Sequence, residues 1–276
     1  MTGPRGETAQ RLGRVRTNTS AFPLRAKRMH NGAEGNSGMA SWQDECLQQA
    51  MAAPNEAALI TLLESVAAQL GFEYCAYFAR VAIPVTQPRY VFCSNLSQQW
   101  SERYLNEGWW AHDPAVMRGE RCTLPLVWDE QTLAGALPAF RDAALGHGLR
   151  FGWSQSCLDA QGARGTLTFA RAQPALTDLE LRHKNAQMAW MAQVIHAAMM
   201  SLTAQKYPVL QPPVALSERE REVLRWTAEG KTSAEVADIL RISERTVNYH
   251  INRCIEKLKV NNKLAATVRA AMQGML

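Results

Sequence analysis

The sequence predicts an α+β chain, with an α/β/α sandwich followed by an all-α helix-turn-helix block. Three observations lead there. Residues 42–205 alternate helical patterns with strand-like pairs, and the last pair is joined by the turn Asp-Ala-Gln-Gly at 159–162. Residues 216–258 hold three short helical patterns, each with its own capping residue. Between these regions, Pro208, Pro212 and Pro213 interrupt any helix and favour an extended chain. The expected organisation is a tail (1–38), a first domain (39–205), a Pro-rich linker (206–214) and a second domain (215–276).

Residues 1–38 are rich in Gly, Arg, Asn, Thr and Ser and lack periodicity, so disorder is expected. Met39 is an alternative start, and a basic DNA-binding arm is an alternative use of the tail. Helices are expected over 42–51 and 56–70. In the second, Leu59, Leu62, Leu63, Val66, Ala67 and Leu70 share one face. Strands follow over 73–81 and 89–94. Ser97 is placed to cap a helix reaching Glu107, and a short segment starts after Asp113-Pro114. A helix is expected over 138–146, strands over 149–158 and 165–171, and a long helix from the Thr177 cap to about Gln205.

The second domain begins with Ser217 and, three residues on, Glu220, the pattern of a capping box. Gly230 is placed to end that helix in a left-handed conformation. Thr232 or Ser233 can cap the next helix and Ser243 the third, whose buried stripe is Val247, Ile251, Ile255 and Leu258. Off that stripe lie Arg245, Asn248, Tyr249, Asn252, Arg253 and Lys257. Asn can bond adenine edges in pairs, Arg can bond guanine or phosphate, and Thr246 and Tyr249 can bond phosphate. A lone helix of this kind would be read as a solvated surface. Tight helix-turn-helix spacing and local charge point instead to DNA reading.

Net charge is +5, yet residues 241–276 alone carry seven Lys and Arg against two Glu, as do residues 1–38. The stretch between them is therefore acidic, and DNA binding by the C-terminal end is expected to be strongly salt-dependent. No run of 18 apolar residues and no signal-peptide pattern occurs, so a cytoplasmic protein without a membrane partner is expected. The six cysteines form no CxxC pair and read as reduced, largely buried thiols.

The first domain is rich in tryptophan, with Trp100, Trp109, Trp110, Trp128 and Trp153. Large apolar faces with one donor each suit a small-molecule pocket, although Trp109, Trp110 and Trp153 individually read as core. Trp100 and Tyr104 share a helix face at i, i+4. Asp113 among aromatics is costly to bury unless a ligand N–H and nearby donors satisfy it. An ordinary N-cap at Asp113-Pro114 explains the residue equally well.

Two sets of residues resemble the LuxR-type quorum-sensing regulators. In the C-terminal block these include Leu216, Glu220, Glu222-Val223-Leu224, Trp226, Gly230-Lys231-Thr232, Ile242-Ser243-Glu244, Thr246-Val247, His250 and Lys257-Leu258. In the first domain they are Trp100, Tyr104, Asp113-Pro114, Trp128 and Gly152, with the stretches 70–77, 84–88 and 162–168. The resemblance implies a fourth helix at about 263–272 that helps dimerisation, making the second domain a four-helix helix-turn-helix domain. It also implies an N-acyl-homoserine lactone as autoinducer. Trp100 would donate to the lactone carbonyl and Asp113 would accept the amide N–H. Tyr104 would lie near the acyl chain, Trp128 would wall the pocket, and Thr168 would bond the acyl carbonyl or its 3-substituent. Many members carry a Tyr four residues before the Trp; here Leu96 stands there. The lost hydrogen bond is worth roughly 0.5–1.5 kcal/mol, or about two- to twelve-fold in affinity. That departure keeps a regulator of the same fold answering to a non-lactone molecule as the alternative.

The expected protein is a homodimeric, ligand-responsive transcription factor reading a palindromic element in double-stranded DNA, with RNA polymerase as a further partner. No cofactor, metal or catalytic residue is expected. A phosphoacceptor regulator would need a βα-repeat receiver, which the sequence does not show. The best metal or catalytic cluster, His112 and Asp113 near Glu107, lacks a second His at ligand spacing.

Overall fold

The computed structural model describes residues 37–81, 87–159, 162–207 and 215–276. The tail 1–38 and the linker 206–214 lie almost wholly outside the described residues, as do the two middle positions of the turn 159–162.

Two helices open the fold, α1 (Ser37–Ala52) and α2 (Glu56–Gln69). The Asn55 side chain caps α2, accepting from the Ala58 amide at 3.0 Å. Strands β1 (Tyr74–Val81) and β2 (Arg89–Ser94) follow, then α3 (Gln98–Asn106), a 3-10 turn (Trp109–His112) and α4 (Pro114–Gly119). Next come β3 (Leu126–Trp128), α5 (Glu130–Ala134), α6 (Pro138–Gly146), β4 (Phe151–Leu158), β5 (Arg164–Arg171) and α7 (Asp178–Lys206). The five strands form one antiparallel sheet in the order β2-β1-β5-β4-β3.

Alternation along the strands divides the core in two. On one face Tyr77, Ala79, Trp153, Cys157, Leu167 and Phe169 pack against α2 and α7. On the other, Phe78 and Ala170 face the aromatic and aliphatic side chains of α3, α4, α5 and α6. The sheet thus lies between two helical layers, as expected from sequence. The start of α7 is fastened by buried charge. Arg171 contacts Glu180 at 2.6 Å and donates to the Pro174 carbonyl, while Lys184 donates to Glu180 and to the Leu70 carbonyl. Deeper in, the Tyr77 hydroxyl and His196 Nδ1 lie 2.7 Å apart.

Sequence periodicity missed β3 and α5. A three-residue strand is too short to show alternation, and α5 is held mainly by its capping box, Asp129 with Thr132. The second strand of the first hairpin and the Thr177 cap fall where they were expected.

Residues 215–276 fold into α8 (Glu218–Ala228), α9 (Ser233–Leu240), α10 (Glu244–Leu258) and α11 (Lys263–Met272). Ser217 with Glu220 and Thr232 with Glu235 form capping boxes, and Ser243 caps α10. Gly230 adopts φ +84° after α8, a conformation open to glycine at no steric cost. The cores of this block use residues from Leu216 onward, among them Leu224, Cys254 and Ala266 on one side and Val223, Val236 and Val247 on the other. Four cysteines are buried and two half-buried, all as free thiols.

Candidate functional site

Between the sheet and the α3–α6 layer lies a narrow cavity, with about 60 Å³ open to the centre of a water-sized sphere. That is room for several waters. Its walls include Leu96, Trp100, Tyr104, Asp113, Trp128 and Thr168, all six of the ligand-site residues expected from sequence.

The wall from α3 follows from helical spacing. Trp100 and Tyr104 are one turn apart and both buried. Trp100 packs edge-on to Trp109 and His147, at centroid distances of 5.5 and 5.0 Å. Its indole N–H has no hydrogen-bond partner among the described residues. Tyr104 stacks on Phe92 at 4.5 Å and donates its hydroxyl to Asp113 Oδ2 at 2.8 Å. Its ring, not its hydroxyl proton, is therefore what faces the cavity.

Asp113 combines a helix cap with a place in the cavity wall. Oδ1 accepts the Ala115 amide at 2.8 Å and so caps α4, while the residue also lines the cavity. Burial raises its pKa above the usual carboxylate value, opposed by the Tyr104 hydroxyl and the Ala115 and Val116 amides. An ionised carboxylate can accept about four hydrogen bonds. Capacity therefore remains for an incoming donor.

Trp128 closes another wall. It pairs with Gly152 across β3 and β4, and a Cβ at Gly152 would come within 2.1 Å of a ring carbon. The glycine leaves room for the indole against the strand. Trp128 Nε1 donates to Ser154 Oγ at 2.9 Å, and Ser154 Oγ lies 2.8 Å from Thr168 Oγ1. One rung further, Ser156 and Thr166 are joined in the same way at 2.8 Å. These serines were not singled out from sequence. The available signal was polar residues at two successive inward positions of β4, opposite two threonines on β5.

The sequence-predicted DNA residues lie on α10. Arg245, Asn248, Tyr249 and Asn252 form a shallow, exposed groove together with Glu244, which was not among the expected DNA contacts. Asn248 is braced from α9, where Ser233 Oγ donates to its Oδ1 at 2.9 Å. Thr246 sits in the first turn, beside the Ser243 hydroxyl. Arg253 is exposed and paired with Glu256 at 2.9 Å. Lys257 is different, because its ammonium contacts Glu220 at 2.7 Å and the Ala215 carbonyl within the helical block. That contact holds α10 against α8, and the Glu220 carboxyl is kept below its usual pKa by Lys257 and the Ser217 amide, against the opposing effect of burial. Lys257, expected at DNA from sequence, thus also has an intramolecular partner 37 residues away in sequence.

Residues 55–199 match the family described as "Autoinducer binding domain" and residues 214–270 that of "Bacterial regulatory proteins, luxR family". Transcriptional activator protein AnoR of Acinetobacter nosocomialis is 38% identical over 239 residues, covering 86% of this chain and 100% of that protein. The crystal structure of Escherichia coli SdiA matches with TM-score 0.68 and 31% identity over 86% of this chain and 98% of that one. A second SdiA structure, in complex with octanoyl-rac-glycerol, matches with TM-score 0.64 and 30% identity, over 87% and 97% of the two chains. CepR2 from Burkholderia cenocepacia, described as N-acylhomoserine lactone dependent, matches with TM-score 0.52 and 29% identity over 60% of this chain and 96% of that one.

Proposed function

The chain belongs to the LuxR family of bacterial regulatory proteins, and from that premise we propose that the signal it answers is an N-acyl-homoserine lactone held in the α3–α6 cavity. It is a ligand-responsive, DNA-binding transcriptional regulator of the quorum-sensing type. One observation carries the lactone reading. An unpartnered indole N–H (Trp100) and a buried carboxylate with spare acceptor capacity (Asp113) line the same apolar cavity. A ligand with a polar head containing one N–H and one carbonyl, and an apolar tail, complements that pair.

In this reading Trp100 donates to the lactone carbonyl and Asp113 accepts the amide N–H. Tyr104 and Trp128 wall the chain, and Thr168 bonds a ligand oxygen. The ligand domain is 39–205 and the DNA-binding domain 215–276, joined by 206–214. Two copies associate, in part through α11, and read a palindromic element with Arg245, Thr246, Asn248, Tyr249, Asn252, Arg253 and Lys257. They act in the cytoplasm and engage RNA polymerase. Among the described residues no helix is long and apolar enough to cross a membrane.

Leu96 favours a second reading, a regulator of this fold tuned to a non-lactone small molecule. Its side chain lines the cavity and cannot donate a hydrogen bond. Mass spectrometry of ligand copurified from cells grown with and without lactones decides between the two. A copurified lactone supports the first, and retention of another small molecule in preference to added lactones refutes it.

A further inference from the structure

The cavity's sheet wall carries hydroxyl pairs whose protons can be counted. A serine hydroxyl has one proton to donate and two lone pairs. Ser154 Oγ already accepts from Trp128 Nε1 at 2.9 Å, and its other contact is Thr168 Oγ1 at 2.8 Å. Ser154 is 2% exposed and does not line the cavity, whereas Thr168 does. If Thr168 donated to Ser154, the serine proton would be buried with no acceptor among the described residues, which is strongly unfavourable. The favoured order runs from Trp128 to Ser154 to Thr168, leaving the Thr168 proton directed at the cavity. Ser156 and Thr166 repeat the serine–threonine pair, with no indole donor to it among the described residues. Ser156 is 2% exposed and covered by Gly119, where even a Cβ would collide with its hydroxyl, and Thr166 reaches the cavity.

We propose that Ser154 is a positioning residue that fixes Thr168 as a hydrogen-bond donor, so that the site selects ligands presenting an acceptor oxygen, such as a carbonyl, to the sheet wall. The inference rests on the ligand reading above and deepens it. A bare methylene at that point would leave the Thr168 proton unsatisfied, and a ligand hydroxyl would bind there through its lone pair.

The test titrates the full chain with N-octanoyl-homoserine lactone and with monooctanoyl glycerol, both of which carry acyl carbonyls. Thr168→Val is expected to weaken binding about two- to twelve-fold, the range of one net hydrogen bond. Thr168→Ser keeps the hydroxyl and restores most of that loss. Ser154→Ala weakens binding by disordering the donor, and the Ser154→Ala/Thr168→Val double variant binds no worse than Thr168→Val alone. Unchanged affinity in Thr168→Val overturns the proposal. Single effects that multiply in the double variant, or a fall in the unliganded melting temperature with affinity intact, overturn it in favour of a purely structural pair. Failure of the unmodified chain to bind either probe overturns the acyl-ligand reading and this inference together. Binding that is indifferent to both positions overturns the inference alone.

Discussion

Asp113→Asn separates ligand recognition from folding, because the two should move in opposite directions. The asparagine oxygen can keep the 2.8 Å cap on Ala115, and the Tyr104 hydroxyl can turn to accept from the new amide group. What disappears is an ionised acceptor for a ligand N–H. A hydrogen bond to a charged group is worth about 1.5–3 kcal/mol, so affinity should fall roughly 10- to 150-fold. The unliganded protein should be as stable or slightly more stable. Burial raises the Asp113 pKa, so its ionisation disfavours the folded state as pH climbs from the unfolded value through the raised one. A neutral amide removes that penalty at pH 7. The assay is a thermal shift. Ligand at one hundred times its dissociation constant stabilises by about 2.7 kcal/mol, and a thirty-fold loss leaves about 0.9 kcal/mol. For a domain of this size those correspond to roughly 5–11 °C and 2–4 °C. An unchanged lactone-induced shift in Asp113→Asn would refute the assignment of the cavity.

Gly152→Ala should cost about 1–3 kcal/mol or more by overpacking and weaken ligand binding, since the added methyl displaces the Trp128 ring; melting and titration together check it. Glu180→Gln should destabilise by about 3–5 kcal/mol, because it strands Arg171, which is 5% exposed; denaturant unfolding measures this. The Glu180 pKa is lowered to about 2 by Arg171 and Lys184. Its contribution should be complete above the ordinary glutamate range and disappear as pH falls toward 2, and Glu180→Gln should lose that acid dependence. Asn248→Ala and Asn252→Ala should each reduce preference for the operator by about 1–3 kcal/mol, read by competition with random DNA. Equal losses on random DNA would place those residues at phosphates instead.

The sequence by itself determined the helix-turn-helix almost completely. Its caps, Ser217, Thr232 and Ser243, act within four residues, and its buried stripe repeats every turn, so local pattern and tertiary outcome coincide. It also identified the hairpin strands and, through the family resemblance, six residues that do line one cavity. Trp100 and Tyr104 were legible as neighbours because helical spacing alone brings them together. Only the tertiary structure decided that Asp113 joins a helix cap to a cavity wall, since the Tyr104 contact depends on how α3 meets α4. The same is true of Lys257, whose partner Glu220 is on another helix, and of the Trp128–Ser154–Thr168 chain, which links three strands across 40 residues. Such pairings depend on register and layer packing. A sequence read in windows of a few turns carries no information on contacts closed by distant strands.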